Sequence, residues 1–343
     1  EATQGVERMI DNTLNAANPV ISNYGDFYVL INQLNLMISH TESTDLLDAS
    51  TKNYYLGEAY GLRAYVYFHL LRSWGDVVLQ LDYTNGNSID IGNPSKAASS
   101  AADVMTQIKK DIQSSEDAFG DDYSFKYGKC YWSKAATMML KGEVYLWSGK
   151  QMNGGESDYT TAKNALMAVK TAGVGLLNDF KKVFAYDNKE NDEIIFAIHN
   201  GRNEYSLWND QYRSTMVMNQ ANFGTYYDEN GALLNETEMA DMSGLIRYQV
   251  EQDLYTQLFR EGDTRKSISI KGIYNKDNTS GTLSFNSPIA YKFQGVLLDG
   301  DAQRSWLDDY PIYRYADCLL ALATAKAFLG EDITQEINEV RER

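Results

Sequence analysis

Two stretches of the chain gather flat aromatic rings with amide and charged side chains at close spacing. Residues 202–213 read Arg-Asn-Glu-Tyr-Ser-Leu-Trp-Asn-Asp-Gln-Tyr-Arg, and residues 222–228 read Asn-Phe-Gly-Thr-Tyr-Tyr-Asp. The rings are Tyr205, Trp208, Tyr212, Tyr226 and Tyr227, with Asn209 beside Trp208. A ring offers an apolar face, and Asn, Asp, Gln and Arg offer hydrogen bonds around it. Together they suit a ligand with a flat C–H face and a hydroxyl rim, which describes a pyranose. Trp306, close to Asp308 and Asp309, is a further candidate for the same face. For each ring the competing assignment is an anchor packed on the scaffold, and for Trp306 it is packing beside the terminal helix.

Other chemistries find little support. His40, His69 and His199 lie far apart and match no zinc or metalloprotease spacing. There is no dinucleotide fingerprint, no P-loop and no nucleophile elbow, so no cofactor is implied. Residues 187–192 read Asp-Asn-Lys-Glu-Asn-Asp but lack the central Gly and the twelfth-position Glu of a calcium loop, so a solvated turn is expected. The balance of 31 basic and 47 acidic residues gives a net charge of −16, which disfavours nucleic acid and anionic lipid surfaces as partners. Cys130 and Cys318 fall in or beside apolar helical stretches and read as small hydrophobes. No 18-residue apolar run and no signal peptide occur; the start at Glu1 without Met fits a leader already removed.

The elements that must position these residues are mostly helical at first. Residues 27–38 carry an apolar stripe, and 57–74 form a long helix with Arg63 among its apolar residues, stopped at Gly75. A loop rich in Asn, Gly and Ser spans 82–99; amphipathic helices follow at 99–118, 133–147 and 158–169, the second capped by Gly149. Helix pairs 34 to 40 residues long imply a two-helix repeat of the tetratricopeptide type. Trp74, Trp132, Trp147 and His69 are expected in this core, with Arg63 and Arg314 in structural ion pairs.

From 192–198 the pattern turns β-like. Residues 200–245 have no helical period and form a long irregular insertion, a kind of segment that commonly carries function. A short helix at 254–259 precedes three strands, 267–270, 282–285 and 290–293, and helix resumes at 311.

Five of these pieces, in order, resemble the SusD/RagB family of outer-membrane nutrient-binding lipoproteins of Bacteroidota. They are Glu58-Ala59-x-x-Leu62-Arg63-Ala64 through Gly75-Asp76-Val77; Ser133-Lys134-Ala135-Ala136 through Tyr145-Leu146; Asp192-Glu193-Ile194-Ile195-Phe196; Asp263-x-Arg265; and Pro311-Ile312-Tyr313-Arg314-Tyr315-Ala316-Asp317 through Ile337-Asn338-x-Val340-Arg341. The resemblance spans nearly the whole chain. It implies a mostly α, tetratricopeptide-like helical repeat scaffold (about 50–175 and 311–343) carrying a loop-rich ligand-binding face with a few short strands (about 192–300), in one domain over 1–343. It further implies a surface-exposed, lipid-anchored protein that binds oligosaccharide, without catalysis, for import through a SusC-like TonB-dependent outer-membrane transporter. The family's lipidated cysteine is not in this chain, and members continue past the position of Arg343, so a piece shortened at both ends is expected.

The resemblance places the sugar site regionally on 202–213 and 222–228. Three other readings compete: the same scaffold binding peptides, a glycoside hydrolase using two carboxylates about 5 to 10 Å apart, and a tetratricopeptide adaptor for protein tails. No motif supports the hydrolase, and the aromatic insertion and strands argue against the adaptor.

Overall fold

The structure, a computed structural model, describes residues 13, 15, 17, 23–85, 96–204, 220–244 and 250–343. In chain order the helices and strands are α1 (Gly25–Ser43), α2 (Ala49–Trp74), α3 (Ala101–Phe119), α4 (Lys134–Gln151), α5 (Gly155–Val169), α6 (Phe180–Val183) and β1 (Ile194–Ile198). There follow α7 (Gln252–Leu258), α8 (Lys266–Ser269), β2 (Ile270–Lys276), β3 (Leu283–Ala290), β4 (Tyr310–Arg314), α9 (Tyr315–Phe328) and α10 (Thr334–Arg341). The fold is mostly α with a few short strands. Tertiary contacts divide it into a helical unit (Ile21–Leu176, Asp192–Ala197 and Pro311–Arg343) and a loop-and-strand unit that includes Leu177–Asn191 and Ile198–Tyr310.

The helices of the first unit begin where a side chain can take over an orphan amide. Asp48, Ser100 and Ser133 accept from the backbone N–H groups of Thr51, Asp103 and Ala136. Gly75 and Gly120 end α2 and α3 at positive φ of 74° and 57°. Gly149, expected as a cap, lies inside α4, which runs on to Gln151. Its role is close approach: a Cβ there would sit 2.5 Å from the Tyr159 ring of α5. Gly61 of α2 does the same beneath Trp132, where a Cβ would lie 2.0 Å from the indole nitrogen. Trp132 is fully buried and donates to the Thr137 hydroxyl at 2.9 Å. Trp74 and Trp147 are half-buried against the same core. His69 is half-buried and edge-on to Tyr65, with ring centroids 4.5 Å apart.

Arg63 lies 5% exposed in this core. Its Nε and Nη2 donate to the two oxygens of Asp111 in α3, each at 2.8 Å. Its Nη1 donates to Asn35 of α1 at 2.8 Å. Asn35 in turn donates to the carbonyls of Gln80 and Asp82, and Tyr67 both donates to and accepts from the Gln80 backbone. One guanidinium thus joins three helices and the extended segment after α2. Burial works against its charge, and the Asp111 hydrogen bonds and charge more than offset that.

The late segment departs from the helix expected at 311. Residues 310–314 are β4, which pairs with β1. An available strand partner overrides local helical character here, and the helix starts only at Tyr315. Arg314 caps α9, its N–H bonding the Asp317 carboxylate at 3.0 Å. Its guanidinium reaches the fully buried Glu193 at 3.2 Å, and Arg343 bonds the other Glu193 oxygen. Cys318 is buried, and its thiol donates to the Leu166 carbonyl.

In the loop-and-strand unit, the strand expected at 267–270 is instead the helical turn α8, followed by β2. The runs at 282–285 and 290–293 are replaced by one strand, β3, antiparallel to β2 with a register shift between Ile273 and Tyr274. Pro288, which looks like a strand breaker, sits opposite Gly272. In a two-stranded sheet every strand is an edge, so a residue without an N–H is tolerated. Residues 186–188 form a 3-10 turn in the 187–192 segment, pinned by the buried Asn191 amide, which donates to Val183 and Asn188 carbonyls.

Removing Asp111 leaves the buried guanidinium of Arg63 without its carboxylate. Asp111→Ala is therefore expected to lower unfolding free energy by about 3–5 kcal/mol, read as a shift of the urea midpoint. Replacing Arg63 by Met and Asp111 by Leu together should recover much of that loss.

Candidate ligand-binding site

Tyr205, Trp208, Asn209 and Tyr212 lie outside the described residues. The chain leading to them is firmly held. Asn200 N–H donates to the Asp309 carboxylate at 3.0 Å, and its side-chain amide donates to the Asp308 carbonyl at 2.7 Å. Asp309 also meets the Lys189 ammonium at 2.7 Å and His199 Nδ1 at 3.2 Å. Two residues further, Arg202 pairs with Asp301 at 2.8 Å.

Tyr226 and Tyr227 are half-buried on the turn after the 3-10 segment Gln220–Gly224. Tyr227 exchanges backbone hydrogen bonds with Tyr274 of β2 at 2.9 and 2.8 Å, and the Tyr226 carbonyl accepts from Leu234 at 3.0 Å. Asp228 closes the turn, one carboxylate oxygen accepting from the Asn230 and Ala232 amides at 2.9 and 2.8 Å. The Lys276 ammonium stands 5.1 Å over the Tyr227 ring. These bonds fix the two tyrosines to the hairpin before any ligand arrives.

Beside this turn lies a cleft of about 470 Å³, whose lining includes Asp228, Glu229, Glu238, Tyr255, Lys266 and Lys271. Tyr255 is 7% exposed: its ring stacks on Phe285 at 5.5 Å, and the Lys266 ammonium lies 4.7 Å over it. It is a wall rather than a platform. Glu238 takes Lys271 at 3.0 Å and Lys181 at 3.3 Å. Burial raises its carboxyl, but those two ammonium groups hold it below the usual range. The cleft is thus lined by hydrogen-bonding and charged groups.

Trp306 corrects an expectation. It is fully buried, packed over the Gly295 backbone where Val296 and Ser305 exchange hydrogen bonds at 2.9 and 2.8 Å. It has no face to offer a ligand, because the bridge that carries it folds inward. Next to it Asp308 is also buried, accepts from Gly295 N–H at 3.0 Å, and is pushed up by that burial to about 6.

Glu238, Lys266 and Lys271 carried no signal in the sequence. They come together through the β2–β3 hairpin and the turn at 226–234, a pairing between residues far apart in the chain. Among the described residues, no helix is long and apolar enough to cross a membrane.

Residues 3–146 match a SusD-like family described as "starch-binding associating with outer membrane". The chain is 57% identical to a SusD superfamily protein of Bacteroides vulgatus, whose crystal structure it matches over 100% of its own length and 70% of that chain, with a TM-score of 0.93. It is 58% identical to B. fragilis NanU, over 100% of this chain and 68% of that one, again with a TM-score of 0.93. A SusD-like protein of Bacteroides ovatus is 26% identical over 93% of this chain and 58% of its own length. The chain therefore spans less than two thirds of that curated relative.

The buried Asp308 makes a pH prediction. Its folded value of about 6 exceeds the ordinary 3.8, so between about pH 4 and 6 the folded state binds more protons than the unfolded one. Stability from this group is therefore fully present at low pH and falls as pH rises through 6, by roughly 3 kcal/mol at most. Asp308→Asn keeps an acceptor for Gly295 and should flatten that slope, seen by comparing urea midpoints of both proteins at pH 4.5 and 7. Parallel slopes would contradict this origin.

Proposed function

The chain belongs to the SusD superfamily, and from that premise we propose that it binds oligosaccharide at the cell surface, without cleaving it, for import through a TonB-dependent outer-membrane transporter. The family's description as starch-binding and outer-membrane-associated carries the carbohydrate class. The turn bearing Tyr226 and Tyr227 supports a site on the loop-and-strand unit. It combines partly exposed rings with hydrogen-bonding side chains and is locked to a hairpin, so little ordering entropy is lost on binding. In this reading Tyr205, Trp208 and Tyr212 supply further ring faces, and Asn209 bonds the hydroxyl rim. In this reading the protein is held at the outer membrane by a lipid anchor.

One observation favours a second reading, peptide uptake on the same scaffold. The cleft beside the turn is walled by Asp228, Glu229, Glu238, Lys266 and Lys271 rather than by open rings. Such a lining suits backbone amides and charged side chains.

A glycan panel by calorimetry, run on this chain and on Trp208→Ala and Tyr227→Ala, separates the readings. One glycan class should bind without release of shorter sugars, and each variant should weaken it about tenfold or more, the loss of a stacked ring. Tyr227→Ala keeps the backbone bonds to Tyr274, so its thermal midpoint should move little. Peptide binding with silence across the glycans would establish the second reading, and shorter sugars would overturn both.

A further inference from the structure

In the helical unit, α5, α9 and α10 enclose a pocket of about 240 Å³. Its floor is apolar, formed by the buried Leu166, Leu319 and Leu322. One wall carries Glu336, only 5% exposed. Lys326 donates to its Oε1. Its Oε2 is buried and has no hydrogen-bond partner among the described residues. A carboxylate oxygen left so forfeits the bonds it had in water, an expense folded proteins rarely tolerate without a ligand or water to meet it. Glu339, one turn further along α10, lines the same pocket, as do Lys170 and Lys326. The lining therefore holds two carboxylates and two ammonium groups. Selection comes from a buried acceptor atom that has nothing to accept among the described residues, not from net charge. The Cys318 thiol is less suited to bind. Burial, then the carboxylate of Asp317, push the Cys318 thiol up to about 12, and it already donates to Leu166.

We propose that this pocket binds a primary aliphatic ammonium, the Glu336 carboxylate turning so that Oε2 accepts from it, with the methylene stem lying on Leu166, Leu319 and Leu322. An ammonium adds ion-pair attraction and further N–H donors to the hydrogen bond that a hydroxyl could also give a carboxylate, so an alcohol of the same length is the discriminating control. The same chemistry is offered by a free alkylamine and by a lysine side chain of a polypeptide.

The test titrates the chain at pH 7 with pentylammonium, 1-pentanol and Nα-acetyl-lysine methylamide, followed by NMR shifts of the Leu319 and Leu322 methyl groups. Pentylammonium should bind at least tenfold more tightly than pentanol, and Glu336→Gln should erase that preference. Binding of the lysine amide as well would identify a polypeptide side chain as an admissible source; its exclusion would restrict the site to free amines. Equal binding of amine and alcohol, or a preference that survives in Glu336→Gln, overturns the proposal. A crystal soaked in pentylammonium gives a readout that needs no variant. Nitrogen density about 3 Å from Oε2 supports the site, and an ordered water left in place on Oε2 overturns it.

Discussion

The helical unit depends on a buried arginine whose hydrogen-bonding capacity is met on several sides. Taking a guanidinium and a carboxylate out of water costs several kcal/mol each, and their attraction repays this only when geometry is good and the remaining donors are met. Arg63 meets both conditions: two parallel bonds to Asp111, a third to Asn35, and a carbonyl at Leu81. Because Asn35 and Tyr67 then bond the backbone around Gln80, the pair also dictates where the chain goes after α2. Such a hub stabilises little compared with an apolar core of equal volume. Its effect is on register: sliding α1 or α3 by one residue would strand a charge. Glu193 repeats the device, drawing Arg314 and Arg343 to one buried carboxylate next to the β1–β4 pair.

Around these hubs the helices approach closely because the sequence places small residues under large ones. Gly57 lies beneath Phe119, Gly61 beneath Trp132, Gly142 beneath Leu166 and Gly149 beneath Tyr159. These choices explain both what could be read in the sequence and what could not. Helix periodicity and the ion-paired fate of Arg63 follow from local spacing and from the cost of a lone buried charge. Gly149 could not be assigned that way. A glycine that ends a helix and one that admits a neighbouring ring look alike until Tyr159 is placed. Residues 310–314 misled for the related reason that their strand partner lies more than a hundred positions earlier.

The candidate site was legible as composition and only partly as geometry. Tyr226 and Tyr227 do occupy a half-exposed turn, but what holds them is a backbone exchange with Tyr274 that no local pattern announces. The acids and lysines of the adjoining cleft converge from four separate segments. Trp306 shows the limit of reading a ring by its neighbours. Asp308 and Asp309 suggested a polar surface, yet one carboxylate is buried with the indole and the other is spent on Lys189 and Asn200.

The aromatic excess itself divides by this criterion. With 25 tyrosines, composition alone hints at a ligand-rich surface. Tyr54, Tyr67, Tyr313 and Tyr315 are instead core residues, and desolvation raises each phenol above its usual range. Their hydroxyls supply the polar bonds that close-packed helices still need: Tyr67 to the Gln80 carbonyl, Tyr313 to Glu143. A tyrosine in this chain is first a way to fill a crevice while keeping one hydrogen bond. What marks a ring for recognition is a stiff backbone with a face left partly open. Tyr255, covered by Phe285 on one side and Lys266 on the ring, lacks that face. Tyr226 and Tyr227, anchored through their main chains, keep partial exposure, although Lys276 stands over the Tyr227 ring.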